Sequence, residues 1–359
     1  MQRRKLIKPD FFRDFFLHTT QAFYHRFPVK TWRRFRLLAV DGTGLRLPDE
    51  SWLGEALGWH ENQHGHVPSV RWLITFDLLN QIIIKVQLHP RRQGEITVAM
   101  PLIKDMPANT LAIDDRGFAG FAIPFLHRFY GTHCIIRLKI DFNPTVVDFV
   151  QSNEAERIIT PRLTHRALSA VCKLGLEPSR NEVIPLRLIR VDLPSGEVEV
   201  LLTTLMHRQH FHHRHFADLY NKRWGVETSI LVLNSFFQAA VFFSYTLTGI
   251  QQELWALFAM YNLQSILIAS KQKALQRINQ RRKFDYQINR NVTVGIIKRY
   301  VPLLFLDEIK AWYAKIHCLL DDLIRHLEPI RPRPSRVRKR KFLRGTERHI
   351  YEPNYKSTL

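Results

Sequence analysis

Residues 110–140, TLAIDDRGFAGFAIPFLHRFYGTHCIIRLKI, read as strand, helix, strand. TLAIDD is a short apolar run of the kind a buried strand needs. FAGFAIPFLHRFY carries apolar and aromatic residues at helical spacing, and HCIIRLKI is rich in β-branched residues again. Moving upstream, RFRLLAVDGTG (34–44) is a β-favouring run that meets an Asp-Gly turn signal. VRWLITFDLL (70–79) and QIIIKVQL (81–88) are two more strands, joined so tightly around Asn80 and Gln81 that they form an antiparallel hairpin. Residues 94–105 are helical, opening with acidic Glu95 and ending near Pro107. The order is therefore strand, hairpin pair, helix, strand, helix, strand. That order predicts an α/β fold with a mixed sheet flanked by helices.

Outside this core the texture changes twice. From 141 to 205, strand-like PLRLIRVDL and EVEVLLTTL are joined by Ser-Gly and Pro-rich turns, which predicts a mainly β insertion. From Phe216 to about 328 the chain is helical, broken near 245–249 and by the basic stretch around 280. At the other end, residues 9–27 place Phe11, Phe15, Phe16 and Phe23 at helical spacing, a short amphipathic helix. Past Pro329, RPRPSRVRKRKFLR holds eight Lys or Arg and little that can be buried, so a basic, extended tail is expected. The domain reading is a helical remnant over 1–30, a core of 31–140 with 206–328, a β-rich insertion over 141–205 and a tail over 329–359.

Composition narrows the function. The 359 residues include 53 Lys and Arg against 32 Asp and Glu, a formal charge of +21. Such an excess points to a polyanionic partner, because each phosphate neutralised releases condensed counterions. Three cysteines (Cys134, Cys172, Cys318) without paired spacing argue against a disulfide framework or a thiolate zinc site and suit a reducing cytoplasm. No secretory signal and no apolar run of membrane-spanning length is present, so no membrane partner is expected. The richest stretch, Leu254 to Ala269, is interrupted by Tyr261, Asn262, Gln264 and Ser265 and reads as a buried core helix.

Three carboxylates carry the chemistry. Asp41 and Asp115 each close a predicted strand, and alternation puts Asp115 on the face of Leu111 and Ile113 with Asp114 on the other. Taken singly, Asp-Gly is the ordinary residue pair of a strand-ending turn. Taken together, two such strands side by side outline a site for a hard divalent cation. In LYNKRWGVETSILVLN (219–234), Tyr220, Arg223 and Glu227 share one helical face, which Leu231 and Asn234 extend. A plain surface ion pair between Arg223 and Glu227 is the competing explanation. Five histidines between His207 and His215 invite a zinc site, yet their spacing matches no structural zinc pattern, and a solvated basic linker is expected there.

The segments AVDGTGLRLPD, ENQHG, DDRGF and YNKRWGVET resemble those of the bacterial cut-and-paste insertion-sequence transposases of the DDE type, whose signature is Tyr-x2-Arg-x3-Glu-x6-Lys. The similarity runs from about residue 30 to residue 265. The resemblance implies a ribonuclease-H-like fold and a metal-binding catalytic triad of Asp41, Asp115 and Glu227, holding Mg²⁺ with Mn²⁺ as a substitute. It implies that Tyr220 and Arg223 grip the DNA end, with Asn234 standing where the signature has Lys. Trp224 has two readings, a platform for an unpaired base or a core residue. KQKALQRINQRRK (271–283), with six cations, would add affinity for DNA. The implied reaction is DNA cleavage and strand transfer at element ends. Its partners would be double-stranded DNA, both transposon ends and target, bound by a homodimer at the bacterial nucleoid. Two other readings stay open: a related nuclease without strand transfer, and an inactive copy that keeps DNA binding. The family's helical DNA-binding domain before the first strand has no counterpart of similar size in residues 1–30, which reads as a truncated copy or a start lying upstream.

Overall fold

The computed structural model describes residues 6–62, 65–90, 93–306 and 309–330. These cluster into two compact units, one of residues 29–45 and 57–230, the other of residues 1–28, 46–56 and 231 onward. In chain order the elements begin with α1 (Pro9–Arg26), β1 (Arg36–Arg46), α2 (Ser51–Leu57), β2 (Trp59–Asn62), β3 (Gly65–Asp77) and β4 (Ile82–Pro90). Next come α3 (Glu95–Ile103), β5 (Thr110–Asp114), α4 (Ala122–Phe129), β6 (His133–Leu138), α5 (Pro144–Gln151) and β7 (Glu156–Ile159). They continue with α6 (His165–Cys172), β8 (Leu186–Asp192), β9 (Val198–Thr203), α7 (Phe216–Asn221) and α8 (Trp224–Ser235). The last are α9 (Leu247–Ser270), α10 (Gln272–Asn279), β10 (Tyr286–Ile288), α11 (Arg290–Leu306), α12 (Ile309–Arg325) and β11 (Leu327–Pro329).

One mixed sheet organises the first unit. Its order is β3-β1-β5-β6-β9-β8-β7, with β2 and β4 both paired to β3. β1, β5 and β6 run parallel, in the registers Leu38↔Ala112 and Ala112↔Cys134. β3 and β4 form the antiparallel hairpin, turned by a network in which buried Asp77 accepts hydrogen bonds from the backbone and side chain of Asn80. Val40, Ala112, Cys134 and Ile136 on one face pack against residues of α3 and α4 such as Met100, Ile103 and Leu126. The hairpin beside a parallel βαβ pair, with helices over the sheet, is the ribonuclease-H-like arrangement.

Two features differ from the sequence reading. β1 does not stop at Asp41: it runs on to Arg46. Gly42 serves a close approach rather than a turn, since a Cβ there would lie 2.9 Å from the Trp72 carbonyl oxygen. The 141–205 segment also contributes two helices, α5 and α6. Its strands extend the main sheet: β9 pairs antiparallel with β6 (Ile136↔Leu202), then β8 and β7 follow. The exposed edge of β6 thereby gains partners for its backbone groups.

The second unit is mainly helical. α1 lies against α9, where Phe16 packs 5.8 Å from the Trp255 ring and 6.2 Å from the Phe258 ring. Its buried face is Phe16, Thr19, Thr20 and Phe23, whereas Phe11 is exposed and Phe15 largely so. The threonines tolerate burial because both hydroxyls donate to the Phe16 carbonyl, and Asn262 of α9 donates to Thr20. The stretch 254–269 lies within α9, with Leu254, Leu257, Phe258 and Tyr261 buried. No helix among the described residues is long and apolar enough to cross a membrane. The expected basic tail, past Ile330, lies outside the described residues, as do residues 63–64 of ENQHG.

Candidate active site

The site is built where β1 and β5 run side by side. Their recorded register runs to Leu38↔Ala112; Asp41 lies three residues further along β1, and Asp115 directly follows the end of β5. Asp115 lies one residue beyond β5 and caps the 3₁₀ turn Arg116–Phe118, its Oδ1 accepting from the Gly117 N–H at 2.7 Å. Asp41 Oδ1 accepts from the Gly42 N–H at 2.8 Å. The other member of the doublet, Asp114, faces the α3–α4 core and is fully buried.

The helix side is arranged differently from a single continuous face. α7 ends at Asn221 and α8 starts at Trp224, so Tyr220 closes one helix and Arg223 sits in the turn before the next. That turn is wound by i→i+3 bonds, Arg223 N to Tyr220 O and Val226 N to Arg223 O, both 3.0 Å. Such 3₁₀ winding keeps residues three apart on one side, which is why the Tyr-Arg-Glu spacing survives the break. Gly225 lets the turn approach the β3–β4 connection: a Cβ there would be 3.3 Å from Leu78 Cδ2. Glu227 occupies the first turn of α8, where the helix dipole favours a carboxylate.

Arg223 ties the cluster together. It is only 8% exposed, its Nη2 lies 2.5 Å from Glu227 Oε1, and its guanidinium rests 5.8 Å from the Tyr220 ring and 5.3 Å from the Trp224 ring. The ion pair offered as the competing explanation is thus present, but it is half-buried rather than on the surface. Tyr220 is buried, whereas Trp224 is 46% exposed and is not a core residue. Asn234, seven residues beyond Glu227 on α8, is half-buried, and its Oδ1 has no hydrogen-bond partner among the described residues. Leu231 is exposed.

Asp41 feels the charges of both other carboxylates. The Asp41 carboxyl is pushed up to about 6, first by burial and further by the negative charges of Asp115 and Glu227. The Gly42 N–H and the Arg223 guanidinium pull it back. Asp114 is raised to about 7, mainly by burial and then by Asp115. Burial raises the Tyr220 hydroxyl as well, against the charges of Arg223 and Arg137. Arg137, which pairs with Glu199 at 2.9 Å, is a cation of this neighbourhood that the motif-based reading did not single out.

An all-carboxylate, mutually repelling donor set matches a hard divalent cation in kind. Among the described residues, however, no group of three or more His, Cys, Asp or Glu is arranged to hold a metal ion. Glu227 is engaged by Arg223 instead, and would have to release it to join a cation with Asp41 and Asp115. The histidine-rich segment is more than a solvated linker: Phe211 is buried, its carbonyl accepts from buried Arg187, and His213–His215 form a 3₁₀ turn.

Fold and site together give a mixed sheet flanked by helices, with Asp41 and Asp115 at adjoining strands and a buried arginine in the turn before α8. The chain belongs to the transposase DDE domain family: the family model described as "Transposase DDE domain" matches residues 32–263. It is 23% identical over 270 residues to the transposase InsG for insertion sequence element IS4 of Escherichia coli (strain K12), covering 73% of this chain and 59% of that protein. The chain thus spans about three fifths of the length of this curated relative. A solved structure, a piggyBac transposase synaptic complex with hairpin DNA, matches with a TM-score of 0.43 at 10% identity, over 81% of this chain and 53% of the other.

Proposed function

We propose that this protein is a DNA transposase that cuts and joins strands at the ends of an insertion sequence, with Asp41, Asp115 and Glu227 as its catalytic carboxylates. What supports the reading is that Asp41 on β1 and Asp115 just past the parallel neighbour β5 lie close enough for the charges of Asp115, Glu227 and Arg223 to act on Asp41. A divalent cation held by these carboxylates, Mg²⁺ with Mn²⁺ as a substitute, would supply the charge that stabilises entering and leaving oxygens in phosphoryl transfer. The chain's own residues do the rest. The Gly42 and Gly117 N–H groups fix the two aspartates in place. Arg223 holds Glu227 in the free chain and exchanges that carboxylate for a phosphate when DNA arrives, a swap suited to a guanidinium fork. Trp224, exposed beside the cluster, offers a face for an unpaired base. Tyr220 supports the guanidinium from the other side. Asn234 replaces a cation with a hydrogen-bonding amide, which weakens DNA binding without touching the carboxylates.

The test is strand cleavage of duplexes made from the DNA flanking the gene, chosen for any inverted repeats found there. Glu227→Gln should abolish cleavage in Mg²⁺ while leaving duplex affinity within about twofold; cleavage at the wild-type rate would remove Glu227 from the chemistry. A second reading, a copy that binds DNA without cutting it, draws on Asn234 and on the engagement of Glu227 by Arg223. No cleavage by the wild-type chain, with DNA binding intact, would favour it.

A further inference from the structure

Two acid-free segments far apart in the chain, VKTWRRFR (29–36) and MHRQHFHHRHF (206–216), come together at the start of β1. Trp32 and Phe35 pair across a two-residue turn, with N–O contacts of 2.9 and 2.8 Å. Their rings lie 6.0 and 5.9 Å from that of buried Phe211. Arg33 donates to the His210 carbonyl, and its Nη2 lies 3.2 Å from His215 Nε2. The segment is held from below by Arg187, which is fully buried, donates to the Phe211 carbonyl and pairs with Glu156.

The turn itself is built from the wrong residues for its shape. Arg33 and Arg34 have φ of 46° and 73°, so both occupy the left-handed region that a tight hairpin turn normally fills with Asn-Gly. Backbone held in an unfavourable region at a surface turn is a reason to look for function there. Arg34 is exposed, and it makes no hydrogen bond or ion pair among the described residues. Arg208 and Arg214 of the histidine-rich segment are exposed too. The carboxylate touching this surface, Glu156, is already shared by Arg187, by Arg208 at 3.2 Å and by His213 at 3.8 Å. Asp218, on the first turn of α7, is the next acid along the chain. The result is a cationic surface with little to neutralise it, roughly 20 Å along β1 from Asp41 at strand spacing.

We propose that the Trp32–Phe35 turn and the histidine-rich segment form a second contact surface for duplex DNA, in which Arg33, Arg34, Arg208 and Arg214 bind backbone phosphates away from the scissile bond. This rests on the reading of the chain as a DNA transposase. It gives a role to the histidine cluster that the catalytic site leaves unused.

The experiment is fluorescence-anisotropy titration of the full chain with a random-sequence 30-base-pair duplex in EDTA, across a range of salt. Arg34→Asn with Arg214→Gln should weaken binding roughly tenfold and reduce the slope of log affinity against log salt by about two. Arg34→Lys, which keeps the charge, should stay within about twofold. Arg34→Asn alone should melt at or above the wild-type temperature, because Asn adopts the left-handed region more readily. Unchanged affinity and slope in the double variant would overturn the proposal, as would an Arg34→Lys loss equal to that of Arg34→Asn. Since no metal is present, the assay is independent of cleavage. Wild-type chain that fails to bind duplex at all would sink the transposase reading itself, whereas wild-type binding matched by the double variant sinks only this surface.

Discussion

The clearest single-residue consequence concerns the doublet Asp114–Asp115. Side-chain alternation, legible in TLAIDD, sends one carboxyl into the α3–α4 core and leaves the other at the site. Asp114 is raised to about 7, with burial the largest cause. A carboxyl whose folded pKa lies above its unfolded value stabilises the protein while protonated. That contribution is complete below the ordinary carboxylate range and is lost as pH rises through about 7. Asp114→Asn, which cannot ionise, should therefore gain on wild type as pH rises. Its Tm should exceed wild type by several degrees at pH 8.5, and the difference should vanish or reverse by pH 5. A Tm difference that is constant over that range would show that Asp114 ionisation does not couple to folding.

At the scale of elements, sequence periodicity located most strands and helices, and the misses have physical causes. Asp41-Gly42 reads as a strand end because Asp-Gly is turn chemistry, but the glycine exists to let β1 pass the Trp72 carbonyl. Gly42→Ala would force a backbone contact of 2.9 Å and should cost about 1–3 kcal/mol, the range for overpacking a tight interior. Chemical denaturation checks it, and an unchanged midpoint would mean that β1 and β3 separate freely. The break between α7 and α8 is invisible to a helical-periodicity reading because 3₁₀ winding preserves the three-residue spacing it looks for. The phenylalanine spacing over residues 9–27 marks the helix but not its full buried face, since Thr19 and Thr20 are buried with their hydroxyls donating to the Phe16 carbonyl. The Arg33–Arg34 turn carries no turn residues to signal it, and nothing in the sequence marks Arg187 as the buried anchor of the Phe211 carbonyl.

For the whole molecule, the sequence motifs imply that the three acids gather at one place, and the fold brings the charges of Asp115 and Glu227 within reach of Asp41. Asp41 lies on β1 and Asp115 just past its parallel neighbour β5, while Glu227 opens α8 after the turn that holds Arg223 and Gly225. The segment between Asp115 and Glu227 adds β9, β8 and β7 beyond β6, on the side of the sheet away from β1. The negative charges of Asp115 and Glu227 help to raise the Asp41 carboxyl, and a divalent cation held among these acids would relieve that repulsion. Metal binding is therefore the direct test of their union. Isothermal titration of Mn²⁺ into the purified full chain and into Asp41→Ala, Asp115→Ala and Glu227→Ala should show each single change weakening affinity by about tenfold or more. Mn²⁺ affinity that is the same in all four proteins would contradict a shared site.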